Sequence, residues 1–302
     1  MNIKQKIKPY VLPTAIILGI LLHDFCGRAS FITPYIIFVI LVFSFTSVDI
    51  FTLKPSWMDL ILALFQIGVS LGGYLLVRCL TANEIIAEGI LICVLCPVAS
   101  SVAVVSCMLG ANRIRVTTYT MIGNLMVACV APIVFSFVGV QQTMPFLDSF
   151  LLILRRVASV LAIPFFIALA LQIWTPRASK AVARFNGLSF YLWATALLLT
   201  LGQTIDFIFI HGDGNTANIL WLGFLALFFC ALQFGLGKLI GSHFNDTMAG
   251  GQLLGQKNTA MGIWMGNMYL NPLSSCILAF YSIFANLFNS WQLWYYCSRK
   301  KL

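Results

Sequence analysis

The sequence predicts an all-α polytopic membrane protein, and three observations lead to that class. Charge is scarce: 18 basic and 9 acidic side chains make up 9% of 302 residues, while 60% are hydrophobic. An ordinary soluble domain carries roughly 25% charged residues. A mean hydropathy of +0.95 over 33.4 kDa therefore argues against a soluble globule and against a disordered chain. The second observation is continuity: no charge occurs from Val116 to Leu147, or from Asn258 to Ser298. The third is the lack of period-two alternation in these stretches, which speaks against a transmembrane barrel and leaves helices.

A spanning helix needs about 20 mostly apolar residues. Breaks at Gly, Pro, Asn and charge clusters divide the chain into ten spans, at 10–26, 31–49, 58–80, 85–110, 114–138, 147–174, 185–209, 216–240, 247–269 and 272–296. No clear small-x-small cleavage site follows the first, so it reads as a span rather than a signal peptide. Ten spans put both termini on one side. Lys4, Lys6 and Lys8 precede the first span. The same side receives Lys54, Arg113, Arg115, Arg177, Lys180, Arg184, Lys238, Arg299, Lys300 and Lys301. The opposite loops hold little beyond Arg28 and Arg78. Basic loops mark the cytoplasmic face. Both termini are therefore expected in the cytoplasm, with the body in a bacterial inner or plasma membrane. The net charge of +9 then implies a bilayer partner rather than nucleic acid.

Most of the remaining polar features take a structural reading. The nine cysteines are scattered, and Cys93-x-x-Cys96 reads as two small apolar residues of a membrane helix. His23, His211 and His243 form no ligand cluster, so no metal or cofactor is expected. The spans lack a G-x-S-x-G elbow and an acid-base dyad, which argues against an enzyme. Gly68 and Gly72 are spaced for close helix packing. Residues Gly212 to Asn215 read as a turn, and Asp206 as a cap or water contact near a span end.

Two spans look different. The fourth contains Cys96-Pro97-Val98-Ala99-Ser100-Ser101. Proline removes a backbone donor, and neighbouring serines can satisfy the groups it frees. The ninth runs from Gly250 through Gln252, Gly255, Gln256, Lys257, Asn258 and Thr259 to Gly262. That polar, glycine-rich centre predicts irregular backbone lining a cavity. Each interruption falls in the fourth span of a set of five. Five is odd, so the second set is inverted. Interruptions at matching places in inverted halves point to the binding site of a secondary transporter.

Lys257 is the sharpest single residue. All nine acids lie near span ends, whereas Lys257 sits at mid-span, where a lysine costs about 2.5–3.5 kcal/mol on insertion scales. Arg155 and Arg156 lie only one or two turns into the sixth span and read as interfacial snorkelling. The half-helix N-termini at the breaks present positive dipole ends, which together with Lys257 favour an anion. Val98, Met261, Trp264 and Met265 are the expected apolar walls. Gly255 and Gly262 allow close backbone approach. Ser100, Ser101, Ser106, Gln256, Asn258 and Thr259 are the expected polar contributors.

At these residues the chain resembles the bile acid:sodium symporter superfamily of sodium-dependent organic-anion transporters. The segment from Cys96 through Asn112 is similar to that family's Cys-Pro-Gly-Gly-x-x-Ser-Asn motif and following loop. Gly255-Gln256-Lys257-Asn258-Thr259 resembles its Gly-Met-Gln-Asn-Ser segment, and Gln66 sits where the family carries a sodium-site glutamine. The resemblance implies two inverted five-helix repeats, over 1–142 and 143–302, with the fourth and ninth helices crossing near the midplane. It also implies a core of helices 3–5 and 8–10 and a panel of helices 1, 2, 6 and 7.

The departures from the family pattern carry the functional expectation. Val98 and Ala99 replace the motif glycines, and Val102, Ala103 and Val116 fall on sodium ligands, while Thr120 is retained. The sodium-binding glutamate position falls on Leu253, beside Gln252. A hard cation needs several oxygen ligands, so sodium should bind poorly. The resemblance therefore implies alternating-access transport of an organic anion that does not depend on sodium. Lys257 near Gln66 would serve as an internal cation, then as a proton carrier, then as a substrate counter-ion, in that order. A channel-like facilitator and a non-transporting sensor are the alternative readings.

Overall fold

The computed structural model describes residues 14–15, 17–99, 102–139, 145–211 and 214–299. Among these the structure is helical, with one isolated β-bridge and no longer strand. Residues 17–21 are helical and lead into α1 (His23–Ala29), a 3-10 turn (Ser30–Ile32) and α2 (Thr33–Thr46). α3 (Trp57–Thr81) starts at a capping box, in which Ser56 and Asp59 satisfy each other's backbone N–H. It ends at Ala82, whose φ of 52° closes the helix in the left-handed region. α4 (Glu84–Leu95), α5 (Val102–Met108) and α6 (Arg113–Val138) follow, with Asn83 and Asn112 as the caps of α4 and α6.

The second half of the chain repeats this alternation of long and short helices. α7 (Phe146–Trp174) bends by 46° between 146–157 and 159–174. Pro164 lacks the N–H that would bond Val160, which accounts for a bend near this point. α8 (Pro176–Ala183) and a 3-10 turn lead to α9 (Ser189–His211) and α10 (Thr216–His243). α11 (Thr247–Gly255), α12 (Thr259–Tyr269), a 3-10 turn (Pro272–Ser275) and α13 (Cys276–Arg299) complete the described chain. The expected spans at 85–110 and 247–269 are thus each two short helices around a break. α4 has 12 residues, about 18 Å at 1.5 Å per residue, so alone it cannot cross a core of about 30 Å.

Among the described residues six helical runs are long and apolar enough to cross a membrane, and bent α7 makes a seventh. The first of the six, His23–Thr46, runs from α1 through the 3-10 turn into α2. Gly19 lies against Leu198 and Gly202, His23 meets Asp206, and Phe43 stacks on Phe185 at 6.1 Å. His23 Nδ1 and Asp206 Oδ1 lie 2.9 Å apart and tie α1 to α9. Asp206 therefore pairs with a side chain, where the sequence suggested a cap or water contact.

The short helices pack closely through glycine. A Cβ on Gly250 would come within 2.2 Å of the Gly237 carbonyl oxygen, so only glycine lets α11 lie this close to α10. Gly241 faces the same contact. Gly68 and Gly72, expected at a close crossing, have nothing within 4 Å of a built Cβ; that expectation is wrong. Spacing alone did not distinguish the exposed glycine pair from the buried one.

Candidate functional site

The two breaks meet. Val98 and Lys257 form an antiparallel bridge. Asn258 N–H donates to Pro97 O at 2.7 Å, and Ala99 N–H donates to Gln256 O at 3.1 Å. Pro97 contributes no N–H, yet its carbonyl is one of the joining acceptors. Each unwound segment thus satisfies backbone groups of the other, which buried irregular backbone requires.

The C-terminal ends of α4 and α11 leave carbonyls that no next turn can bond. At α4 they are met by side chains from two other elements. Lys257 Nζ donates to Val94 O at 3.0 Å. Gln66 Nε2 donates to Leu95 O and Cys96 O, both at 3.0 Å, and Tyr119 Oη donates to Gln66 Oε1 at 3.3 Å. At α11 a neutral group does the same work: Tyr281 Oη donates to Gly255 O at 2.7 Å, and Gln233 Nε2 donates to that hydroxyl at 3.3 Å. The negative dipole end of α4 thus faces an ammonium, while that of α11 faces a phenol. Lys257 is 5% exposed and forms no ion pair among the described residues.

Other expected site residues lie at or near this crossing. Asn258 caps α12, its Oδ1 accepting from Met261 N–H at 3.3 Å, while its own carbonyl accepts from the Cys96 thiol at 3.1 Å. Thr259 is buried at the start of α12, and Gln256 is buried with its Oε1 unpartnered among the described residues. Gly255 lies beneath the Phe234 ring, and Gly262 against Leu278 and Cys96, so both serve close packing.

Five expected residues fare differently. Gln252 turns away to α13, donating to Asn289 Oδ1 at 3.0 Å. Thr120 Oγ1 donates to Val116 O of its own helix at 2.8 Å. Ser100 and Ser101 lie outside the described residues. Ser106 Oγ is buried and has no partner among the described residues.

A cavity lies elsewhere. It has a volume of about 1020 Å³ and lies between α2, α7, α9 and α12. Of the four expected apolar walls only Trp264 lines it; Val98, Met261 and Met265 are buried in packing. Lys257 is not on its wall. Arg155 and Arg156 are, together with Gln203 of α9 and Asn267 of α12. Both arginines are exposed, which is compatible with the interfacial position expected from the sequence.

Fold and site together define an all-helical integral membrane protein organised around two crossed, interrupted helices. No protein-family model matches the chain, and no curated protein matches it.

Proposed function

We propose that the chain is a secondary transporter that moves an organic anion across the membrane by alternating access, without sodium, with Lys257 as a fixed internal cation. The observation that carries this reading is the crossing of the two breaks, with the Lys257 ammonium on the open carbonyl end of α4. Interrupted, crossed helices are a costly arrangement, and transporters use them to put helix ends beside a site at membrane depth. A cation is favoured at such a carbonyl end, and at α4 the chain supplies its own.

On this reading there are ten spans. They are the expected first span at 10–26, only partly among the described residues, then α2, α3, the α4–α5 pair, α6, α7, α9, α10, the α11–α12 pair and α13. The order of long helix, two short helices and long helix occurs twice, at α3–α6 and at α10–α13, which supports inverted repeats over 1–142 and 143–302. The cavity has α2, α7 and α9 on one side and α12 on the other, which fits a panel moving against a core. It lies in the half that holds Ser30, next to Arg28, the expected outer half. Both termini are then cytoplasmic.

Lys257 is engaged by Val94 O and stands off the cavity wall. This favours the fixed cation over direct pairing with substrate. The proton-carrier role is checked with a Lys257→Gln variant, which is expected to keep the wild-type response to an imposed pH gradient; loss of that response would make Lys257 the carrier.

Uptake into proteoliposomes tests the whole reading, with pantothenate, an aromatic keto acid and a sulfated steroid as probes. Equal initial rates are expected in sodium and choline buffers, with acceleration by substrate on the trans side. Strong sodium stimulation would sink the fixed-cation mechanism. Flux without trans acceleration would turn the reading to a facilitator, and binding without flux to a sensor.

A further inference from the structure

Two guanidinium groups share the cavity between α2, α7, α9 and α12, and no Asp or Glu lines it. Arg155 and Arg156 are consecutive on α7, next to its 46° bend, and both reach the cavity wall. Neither forms an ion pair among the described residues. Arg156 Nη1 has a thioether contact, Met268 Sδ at 3.6 Å, and no oxygen acceptor among the described residues.

The rest of the polar wall is neutral, with Ser30, Ser159, Gln203 and Asn267. The Asn267 side-chain amide lies 2.6 Å from Ser275 Oγ, which itself lies 2.6 Å from Pro272 O. The other side of the cavity is apolar and aromatic, with Phe31, Phe38 and Trp264. Both arginines are exposed, so a ligand in the cavity can reach them. A cavity with two cations and no acid suits a ligand that brings the acceptors. The planar guanidinium fork matches phosphate and carboxylate oxygens in pairs. Two such forks together match a head of two negative charges.

We infer that this cavity binds an amphipathic organic anion with a doubly charged head, a phosphate monoester or a pair of carboxylates. Arg155 and Arg156 hold the head, and the apolar body lies against the aromatic wall. The inference deepens the transport reading and rests on it for the fate of the ligand, whereas binding is measurable without flux.

The test uses the full chain in phosphatidylcholine nanodiscs, with calorimetric titration of naphthyl phosphate, naphthalene sulfonate and naphthol. These share the ring and differ in head charge. The expected order of affinity is phosphate, then sulfonate, then naphthol. Arg155→Gln and Arg156→Gln should each weaken naphthyl phosphate by about tenfold. Naphthol binding should not change, and the corresponding lysine variants should recover part of the loss. The melting temperature without ligand reports folding, and the lysine variants keep the test open if a glutamine variant fails to fold. Equal affinity for naphthol and naphthyl phosphate would overturn the inference, as would unchanged phosphate binding in the arginine variants.

A second arm places phosphatidic acid in the nanodisc. Competition that disappears in the arginine variants assigns the head to a lipid, and its absence assigns it to a soluble anion; both support the arginine pair. Binding of naphthyl phosphate without its uptake into proteoliposomes would count against transport and leave this site standing.

Discussion

Replacement of Lys257 by methionine is expected to lower uptake at least about tenfold while leaving the folded protein as stable as before, or slightly more so. The two effects part because opposing energies meet at this residue. The variant loses a hydrogen bond from a charged donor to Val94 O, about 1.5–3 kcal/mol, and the favourable placement of a cation at the C-terminal end of α4, up to about 2 kcal/mol. It gains the relief of desolvation, because the ammonium is buried without an acidic partner. That penalty is several kcal/mol per ion, and replacing buried charge by an apolar side chain of similar size is often neutral or stabilising. Function bears the loss, since the carbonyl end of α4 is left without its cation as the core moves. Uptake and the thermal midpoint, measured on the same preparation, check both parts. Wild-type uptake in the methionine variant would remove Lys257 from the mechanism.

Gln66→Leu is expected to act in the opposite way, with stability falling first. Gln66 has no exposed surface and answers three groups at once: Leu95 O, Cys96 O and the Tyr119 hydroxyl. Leucine fills a similar volume and bonds none of them. Each buried polar group left without a partner costs about 1–3 kcal/mol, so the loss is about 3 kcal/mol or more. At about 2–4 °C per kcal/mol, the scaling for chains of 150–250 residues, 3 kcal/mol lowers the thermal midpoint by about 6–12 °C, and by somewhat less in a chain of 302 residues. Gln66 and Lys257 serve the same helix end, so the double variant should depart from additivity by about 0.5–3 kcal/mol. A fully additive double-mutant cycle would mean that the two side chains do not share one task.

Much of the fold was legible because its signals are local. Pro97 marks the end of the first short helix, and the glycine and polar run at 250–259 marks the second break. Lys257 stood out by depth alone. What could not be read were partners distant in sequence. Nothing near Lys257 indicates that its acceptor is Val94, 163 residues away, or that Asp206 finds His23. Gln252 and Thr120 were placed at the site by a resemblance that fixes position along a helix but not the direction of a side chain. That Arg155 and Arg156 line a cavity could not be read for a related reason. Their distance from the span end is a one-dimensional measure, and whether a residue meets lipid or cavity depends on the neighbours of a bent helix. The glycines repeat the point, since Gly68 and Gly72 have the same spacing as Gly237 and Gly241 but a different environment.

A lysine built into the crossing has an electrical consequence on the proposed mechanism. A bound sodium ion would travel with the substrate and cancel part of its charge, whereas a side chain stays with the protein. Each cycle would then move the anion's own charge across the membrane potential, at about 2.3 kcal/mol per elementary charge per 100 mV. In a cell with a negative interior this opposes entry and favours exit, doubly so for a dianion. Proteoliposomes given a potassium diffusion potential should fill faster when their interior is positive, and a rate indifferent to the sign of that potential would contradict the scheme. By its position on Val94, Lys257 would make the resting voltage of the membrane the force that drives its substrate outward.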